Sequence, residues 1–384
     1  MNFKLNAEQQ LLQDSVRRFI DREYGFEARA SLIKARSKSN AAHWQTIAEN
    51  GWLAAALPES CGGLGGTVID TVLIAGELGR GLVLDPWLGC AVLAAQTLLA
   101  AGTVSQRERW LPYVSDGSRK FALAYSEAQS RGLPESVELR AQTVSNGYAL
   151  TGGKTLVPGG ADAGSFIVSA RTPDADGITL FLVDADAPGL TRHVLPLHDG
   201  SFAADLTFEH VQVTRDAVLG VPGHGLTALR HGLAHATAAL CAELIGGMER
   251  AIELTADYLK VRKQFGVPIG SFQALQHRMA DMAAEKEIAR SMLYALIASI
   301  ENDDEQARLR TVSQAKALIG RAARFVCAQA IQLHGGMGMT EECQVGHYYK
   351  RAVVAEVLFG NGDVHDALCA AQLQNDLLKK GNHA

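Results

Sequence analysis

The sequence predicts an α+β multi-domain protein in three parts: an N-terminal helical domain, a central β-barrel or β-sandwich domain, and a C-terminal four-helix bundle. Three observations predict it. Apolar residues recur at helical spacing through the first ~115 residues, short branched and aromatic runs take over between about Lys120 and Leu219, and long helical periods return from Gly225 onward. The expected domains are 1–118, 119–222 and 223–384. At 384 residues, 47% hydrophobic and 20% charged, the chain has the apolar content for two or three packed layers.

In the first part, Leu12, Val16, Phe19 and Ile20 share a helix face behind Asn6 and Gln9, a pair that resembles a capping box. Pro58 and the string Cys61 to Gly66, CGGLGG, then impose a loop. Helical signal resumes from about Ile69 to Leu99, interrupted near Asp85-Pro86. In the second part, Phe121 to Tyr125, Tyr148 to Leu150, Phe166 to Val168, Ile178 to Val183 and Leu206 to Phe208 read as strands. Asn146-Gly147 favours a tight hairpin between two of them, and Pro188-Gly189 marks a turn. In the third part, Leu226, Leu229, Leu233 and Leu240 line one face of a first long helix. Further helices are expected from about Ser271 to Glu301, from Glu305 to Leu333, and after Glu341 and Gly362. Long helices joined by short connections make an up-and-down bundle of four or more members.

The net charge of -5 comes from interspersed residues, with no basic run to track a phosphate backbone, so nucleic acid is not an expected partner. Apolar runs such as Trp52 to Leu57 stop well short of the ~20 residues of a membrane span, and no basic segment followed by an apolar one opens the chain. A cytoplasmic protein is expected. The six cysteines, at 61, 90, 241, 327, 343 and 369, form no CxxC pair and no cysteine–histidine cluster, so no metal site is expected.

Several strings carry a resemblance. Pro58 to Gly66, PESCGGLGG, is an early glycine loop; Arg262-Lys263-Gln264-Phe265-Gly266, followed by Gln273 and Gln276, has the form RxxFG…Q; Gln332 to Gly338, QLHGGMG, has the form QxxGGxG. In this order, across nearly the whole chain, they resemble the acyl-CoA dehydrogenase family. The runs Tyr258 to Gln273 and Val345 to Arg351, VGHYYKR, are most similar to small, partner subunits of the pimeloyl-CoA and bacterial steroid side-chain types.

The resemblance implies a reaction in which a proton leaves the carbon beside a thioester carbonyl while hydride leaves the next carbon for the flavin of FAD. It implies electron-transfer flavoprotein as the acceptor. It also implies a glutamate base, either on the loop after the QxxGGxG segment or at the start of the first bundle helix. Here the loop reads Leu358-Phe359-Gly360-Asn361-Gly362-Asp363, which puts Phe359 or Gly360 at the base position; at the helix site stands Ala236, beside Thr237. None of these can take a proton. Two nearby acids are candidate substitutes. Glu243 returns to the face of Ala236 within roughly 20° but ~10 Å further along the axis, with Arg250 as a candidate ion-pair partner. Asp363 is the other, with an N-cap of the last helix as its structural alternative.

The family's flavin site is split between protomers. Its ADP half matches Arg262, Phe265, Gln273, Gln332, Gly335 and Gly336, where a guanidinium can pair with pyrophosphate oxygens and glycines admit close backbone approach. Its ring half, TEPxAGSD and WITNG in the family, here reads Tyr125-Ser126-Glu127-Ala128-Gln129-Ser130-Arg131 and Thr155-Leu156-Val157-Pro158-Gly159. Ser126 still offers a hydroxyl, but Leu156 replaces the tryptophan and Pro158 removes an N–H. One half kept and one worn away points to a subunit that lends its ADP half to a homologous partner in an α2β2 heterotetramer. The alternatives are a complete homo-oligomer using Glu243, different flavin chemistry using Asp363 as in nitroalkane oxidases or flavin monooxygenases, and a structural partner without cofactor. Steroid side-chain, dicarboxylic and simple fatty acyl-CoA thioesters all remain open as substrates.

Overall fold

Asn6 opens the first helix, α1 (Ala7–Glu23), with the expected capping box: its side chain accepts the Gln9 N–H at 2.8 Å, and the Gln9 side chain accepts the Asn6 N–H. The computed structural model describes residues 5–302 and 304–381. After α1 come α2 (Phe26–Lys34), α3 (Ala41–Glu49) and α4 (Val68–Gly81). The CGGLGG string forms a compact loop because Gly63 and Gly66 lie against the carbonyls of Leu57 and Ala55, where a Cβ would come within 2.0 and 2.4 Å. Beyond Asp85-Pro86, the residues Leu88–Ala94 wind as a π-helix that continues into α5 (Ala95–Ala101), followed by α6 (Val104–Ser115). No periodicity argument distinguishes a π turn from an α turn, so this widened segment was legible only as helix.

The central strands are β1 (Phe121–Ala124), β2 (Arg140–Val144), β3 (Gly147–Pro158), β4 (Ser165–Thr172), β5 (Ala175–Asp184), β6 (Leu190–Pro196), β7 (Phe202–Thr214) and β8 (Val218–Leu219). They hydrogen-bond in the order β6-β7-β3-β2-β4-β5-β8, with β1 parallel to β4. The sheet is mixed and does not close into a barrel among the described residues. Strand β2 escapes the hydrophobic pattern because it is polar, RAQTV, and β6, LTRHVLP, has no buried residue. The expected hairpin is present: Val144 pairs with Gly147 across a two-residue turn. Leu150, Phe166, Phe181, Phe208 and Val211, each at most 1% exposed, fill the core beneath it.

The C-terminal helices are α7 (Gly225–Val261), α8 (Gln273–Ile300), α9 (Glu305–His334), α10 (Gln344–Val357) and α11 (Gly362–Gly381). Between α7 and α8 a short hairpin pairs β9 (Lys263–Gln264) with β10 (Val267–Pro268). Helix α9 is the centre of the bundle and packs on α8, α10 and α11. The described chain falls into two compact units. One holds the segment up to Phe26, Val72–Val83 and everything from Thr237; the other holds Glu27–Thr71 and Leu84–Ala236. No helix among the described residues is long and apolar enough to cross a membrane.

Within the first unit, α4 and α7 approach until their backbones touch. A Cβ on Gly246 would sit 1.9 Å from the Gly76 carbonyl oxygen, and one on Gly79 2.0 Å from that of Glu243. Neither neighbour can yield, because each is backbone. Gly246→Ala is therefore expected to force the helices apart and lower the free energy of unfolding by about 1–3 kcal/mol, read as a shift in the urea midpoint at unchanged slope.

Candidate flavin and acyl sites

The loop after α10 is built from backbone strain and two buried cationic-type side chains. Phe359 and Gly360 both adopt left-handed backbone, with φ of 61° and 91°. Lys316, from the middle of α9, donates to the Gly360 carbonyl at 2.9 Å and the Glu356 carbonyl at 3.2 Å. His365, on α11, bonds the Phe359 carbonyl through Nε2 at 2.9 Å. Burial pushes the Lys316 ammonium below its ordinary range and the His365 imidazole down to about 4, against its own bond to Phe359. His365 is thus neutral at pH 7 and donates from Nε2. Neither residue was singled out in the sequence. The available signal was a lone lysine on the apolar stripe of α9, between buried Val312, Ala315 and Ile319.

Phe359 and Ala236 stand at the two positions where the resemblance leads one to expect a base. Phe359 is 7% exposed, and Ala236 on α7 is fully buried beside Thr237. Asp363 sits exposed in the first turn of α11 and does not cap it; Asn361 does, its Oδ1 accepting the Val364 N–H at 3.0 Å. The cap falls two residues earlier because Glu356 takes the Gly362 N–H, which starts the helix at Gly362. Glu243 has a partner, and it is not Arg250. Arg351 of α10 grips both Glu243 carboxylate oxygens, Nε to Oε1 at 2.5 Å and Nη2 to Oε2 at 3.0 Å, while Arg250 pairs with Glu253 one turn along its own helix. A bidentate guanidinium occupies both carboxylate oxygens, which commits Glu243 to tying α7 to α10.

The residues matching the ADP half gather at one end of the bundle. Tyr258 stacks on His334 with ring centroids 4.4 Å apart, which sets the end of α7, followed by Arg262, beside the end of α9, which carries Gln332 and is followed by Gly335. Arg278 on α8 donates to Gln329 on α9 at 2.7 Å and brings the Gln273 end of α8 alongside. Arg262, Gln273, Gln332, Gly335 and Gly336 are all exposed, and a Cβ on either glycine would meet nothing within 4 Å. The Arg262 guanidinium has no hydrogen-bond partner among the described residues. Phe265, at the tip of the β9–β10 hairpin, is 92% exposed and holds a left-handed φ of 54°. This set fits an ADP group: free cationic and amide donors around an open glycine surface.

The residues matching the ring half do not. The Thr155 N–H is given to the Ser126 carbonyl at 2.9 Å, the Leu156 N–H to Asp205 Oδ1 at 2.8 Å, and Pro158 has none. Leu156 is itself left-handed at φ 50°, so the side chain in the tryptophan's place stands on strained backbone. The π-helix closes on this strand end, where a Cβ on Gly89 would lie 2.6 Å from the Pro158 carbonyl. The Ser126 hydroxyl faces Ser130 Oγ at 3.4 Å. Beneath lies a fully buried ion pair: Lys154 donates to Glu127 at 2.6 Å and to Ser169 at 2.9 Å, while Glu127 also accepts from Gln129 and from the N–H groups of Glu138 and Leu139.

Comparison with known proteins assigns this helices–strands–helices chain to a class of flavoproteins that oxidise acyl-CoA thioesters. The family models for the acyl-CoA dehydrogenase N-terminal, middle and C-terminal domains match residues 6–118, 122–211 and 223–374. The chain belongs to the acyl-CoA dehydrogenase family, whose members use FAD to oxidise acyl-CoA thioesters. Among curated relatives it is 29% identical to a probable acyl-CoA dehydrogenase, YngJ, of Bacillus subtilis, covering 97% of this chain and all of that one. It is 28% identical to an acryloyl-CoA reductase (NADH) of Anaerotignum propionicum, covering 97% and 96%. Among solved structures, a variant of the Tcur3481-Tcur3483 steroid ACAD matches at TM-score 0.86 and 30% identity, over 98% of this chain and 99% of that one. The ChsE4-ChsE5 complex of Mycobacterium tuberculosis matches at 0.87 and 26%, over 97% and 99%.

The Glu127–Lys154 pair generates a stability prediction. Burial alone would raise the Glu127 carboxyl, but the Lys154 charge and the bonds from Lys154, Gln129 and Glu138 outweigh it and hold it below its ordinary 4.5. The unfolded chain therefore takes up a proton first as pH falls. The stabilisation is complete above 4.5 and is lost as pH drops through the lower folded value. Glu127→Gln, which strands a buried ammonium, is expected to cost about 3–5 kcal/mol at pH 7 and to flatten the acid side of the stability-against-pH curve measured by urea unfolding.

Proposed function

We propose that this chain is one subunit of a two-component, FAD-dependent acyl-CoA dehydrogenase, and that a homologous partner chain supplies the base, the flavin-ring contacts and the thioester seat. The observation that carries the reading is the division between its two half-sites. The donors at the ADP half are exposed and uncommitted, those at the ring half are spent inside the fold, and no carboxylate stands at Phe359, Gly360 or Ala236. A homo-oligomer would need both halves and a base in every chain. Glu243 does not fill that need, since Arg351 holds it.

In this reading FAD, when bound, takes the hydride that leaves the acyl chain. Arg262 pairs with pyrophosphate oxygens as a charge-assisted donor, Gln273 and Gln332 offer side-chain amides, and Gly335 and Gly336 let the backbone come close. Phe265, apolar and nearly fully exposed, covers the group from water once the partner is seated. Ser126 contributes at most a hydroxyl. The assembly is α2β2 with one flavin per pair, passing electrons to electron-transfer flavoprotein. The substrate is a coenzyme A thioester of steroid side-chain or dicarboxylic type. Two structural relatives support this reading by their names alone, one a steroid ACAD and the other a two-protein complex.

Co-expression with the homologous chain encoded beside it is expected to give a yellow complex with one flavin per pair, whereas the chain alone purifies colourless. Arg262→Ala in this chain is expected to weaken flavin retention by the complex roughly tenfold to a hundredfold, the equivalent of one charge-assisted bond of ~1.5–3 kcal/mol. A solitary preparation that holds one flavin per chain and desaturates an acyl-CoA refutes the proposal, and unchanged flavin content in the Arg262→Ala complex removes its ADP contribution.

A further inference from the structure

We propose that a groove between α6 and the ends of β5 and β7 docks a segment of another protein that presents lysine or arginine side chains beside aliphatic ones. The groove encloses about 780 Å³ and is walled by residues 105–110 of α6, residues 182–188 at and after the end of β5, and residues 212–217 at and after the end of β7. Trp110, Leu182, Val213 and Ala217 supply apolar lining. The walls are fixed by bonds inside the fold. Gln106 spends its side chain on three backbone groups, donating to the Val218 carbonyl at 2.7 Å and accepting from the N–H groups of Thr103 at 3.0 Å and Gly220 at 3.2 Å, which pins α6 to β8 and the residue after it. Arg119 pairs with Asp184 and so neutralises one carboxylate of the lining.

Other polar groups of the lining remain uncommitted. The exposed carboxylates of Asp186 and Asp216 have no hydrogen bond and no ion pair among the described residues. Arg109, the one basic residue of the lining, pairs with neither; its guanidinium lies 4.5 Å from the centroid of the Trp110 ring. The Trp110 indole N–H has no acceptor among the described residues. Three carboxylates against one guanidinium set the sign of the occupant, and the apolar lining adds a second requirement, an aliphatic stem or neighbour beside the cation. The rim favours a protein segment over a small amine. Tyr113, 44% exposed, continues the Arg109–Trp110 surface one turn along α6, with its ring 6.1 Å from that of Trp110. Tryptophan, tyrosine and arginine are the residue types that carry most of the binding energy where proteins meet.

The test follows the fluorescence anisotropy of a fluorescein-labelled heptapeptide of alternating lysine and leucine, titrated with the full chain as it purifies. Saturable binding is expected, weakening as salt is added, and the glutamate–leucine and lysine–serine counterparts are expected to bind about tenfold more weakly or not at all. Asp186→Asn combined with Asp216→Asn removes two exposed, unpaired charges and is expected to weaken the lysine–leucine peptide about tenfold at unchanged melting temperature. Gln212→Arg, which adds a positive charge to the lining and leaves both carboxylates in place, is expected to weaken it as well. Absence of saturable binding overturns the proposal, as does an affinity that neither variant changes. Equal binding of the lysine–serine peptide overturns it by removing the apolar requirement. Displacement of the peptide by n-butylamine at a comparable concentration overturns it in favour of a small-cation site.

Discussion

A hydrogen-bond donor already committed inside a fold cannot serve a ligand without breaking a bond that the fold needs, and the division of this molecule follows from that constraint. The strand end around Thr155 and Leu156 has given its N–H groups to Ser126 and Asp205. Freeing either would leave a partly buried acceptor unmatched, at roughly 1–3 kcal/mol. At the tip of the bundle the opposite holds: Arg262, Gln273 and Gln332 face solvent, and space is open above Gly335 and Gly336. One surface is closed by its own chemistry, and the other is ready for a group from outside.

The same logic governs the charges. A buried carboxylate or ammonium must be matched, and the buried ones in this chain are matched in ways that fix structure. Glu127 takes Lys154 and three further protein donors, from Gln129, Glu138 and Leu139, anchoring the loop after β1 to β3. Glu243 takes Arg351 and so ties α7 to α10. Lys316 takes two carbonyls and shapes the turn between α10 and α11. Each of these groups is committed to neighbours inside the fold.

The candidate site could be proposed in one dimension because it is written in short strings. The glycine turns, Arg262 with Phe265, and the absence of a carboxylate at 359, 360 and 236 need only residue identity and order. The partners of the charged side chains were not legible. Arg250 and Arg351 are both reachable from Glu243 on simple helical geometry or packing, and only the placement of α10 decided between them. Asp363 and Asn361 are both good N-caps, and the starting point of α11 chose Asn361.

The sequence by itself determined the element types, the order helices–strands–helices, and the family, because periodicity and turn chemistry are local properties of the chain. Tertiary structure alone decided the mixed strand order, the π-helical widening of Leu88–Ala94, the left-handed turn at Phe359, and which donors remain free. Those depend on which distant residues meet. A hydrogen bond between Lys316 and Gly360, or between Leu156 and Asp205, joins positions more than forty apart, and no local pattern encodes it.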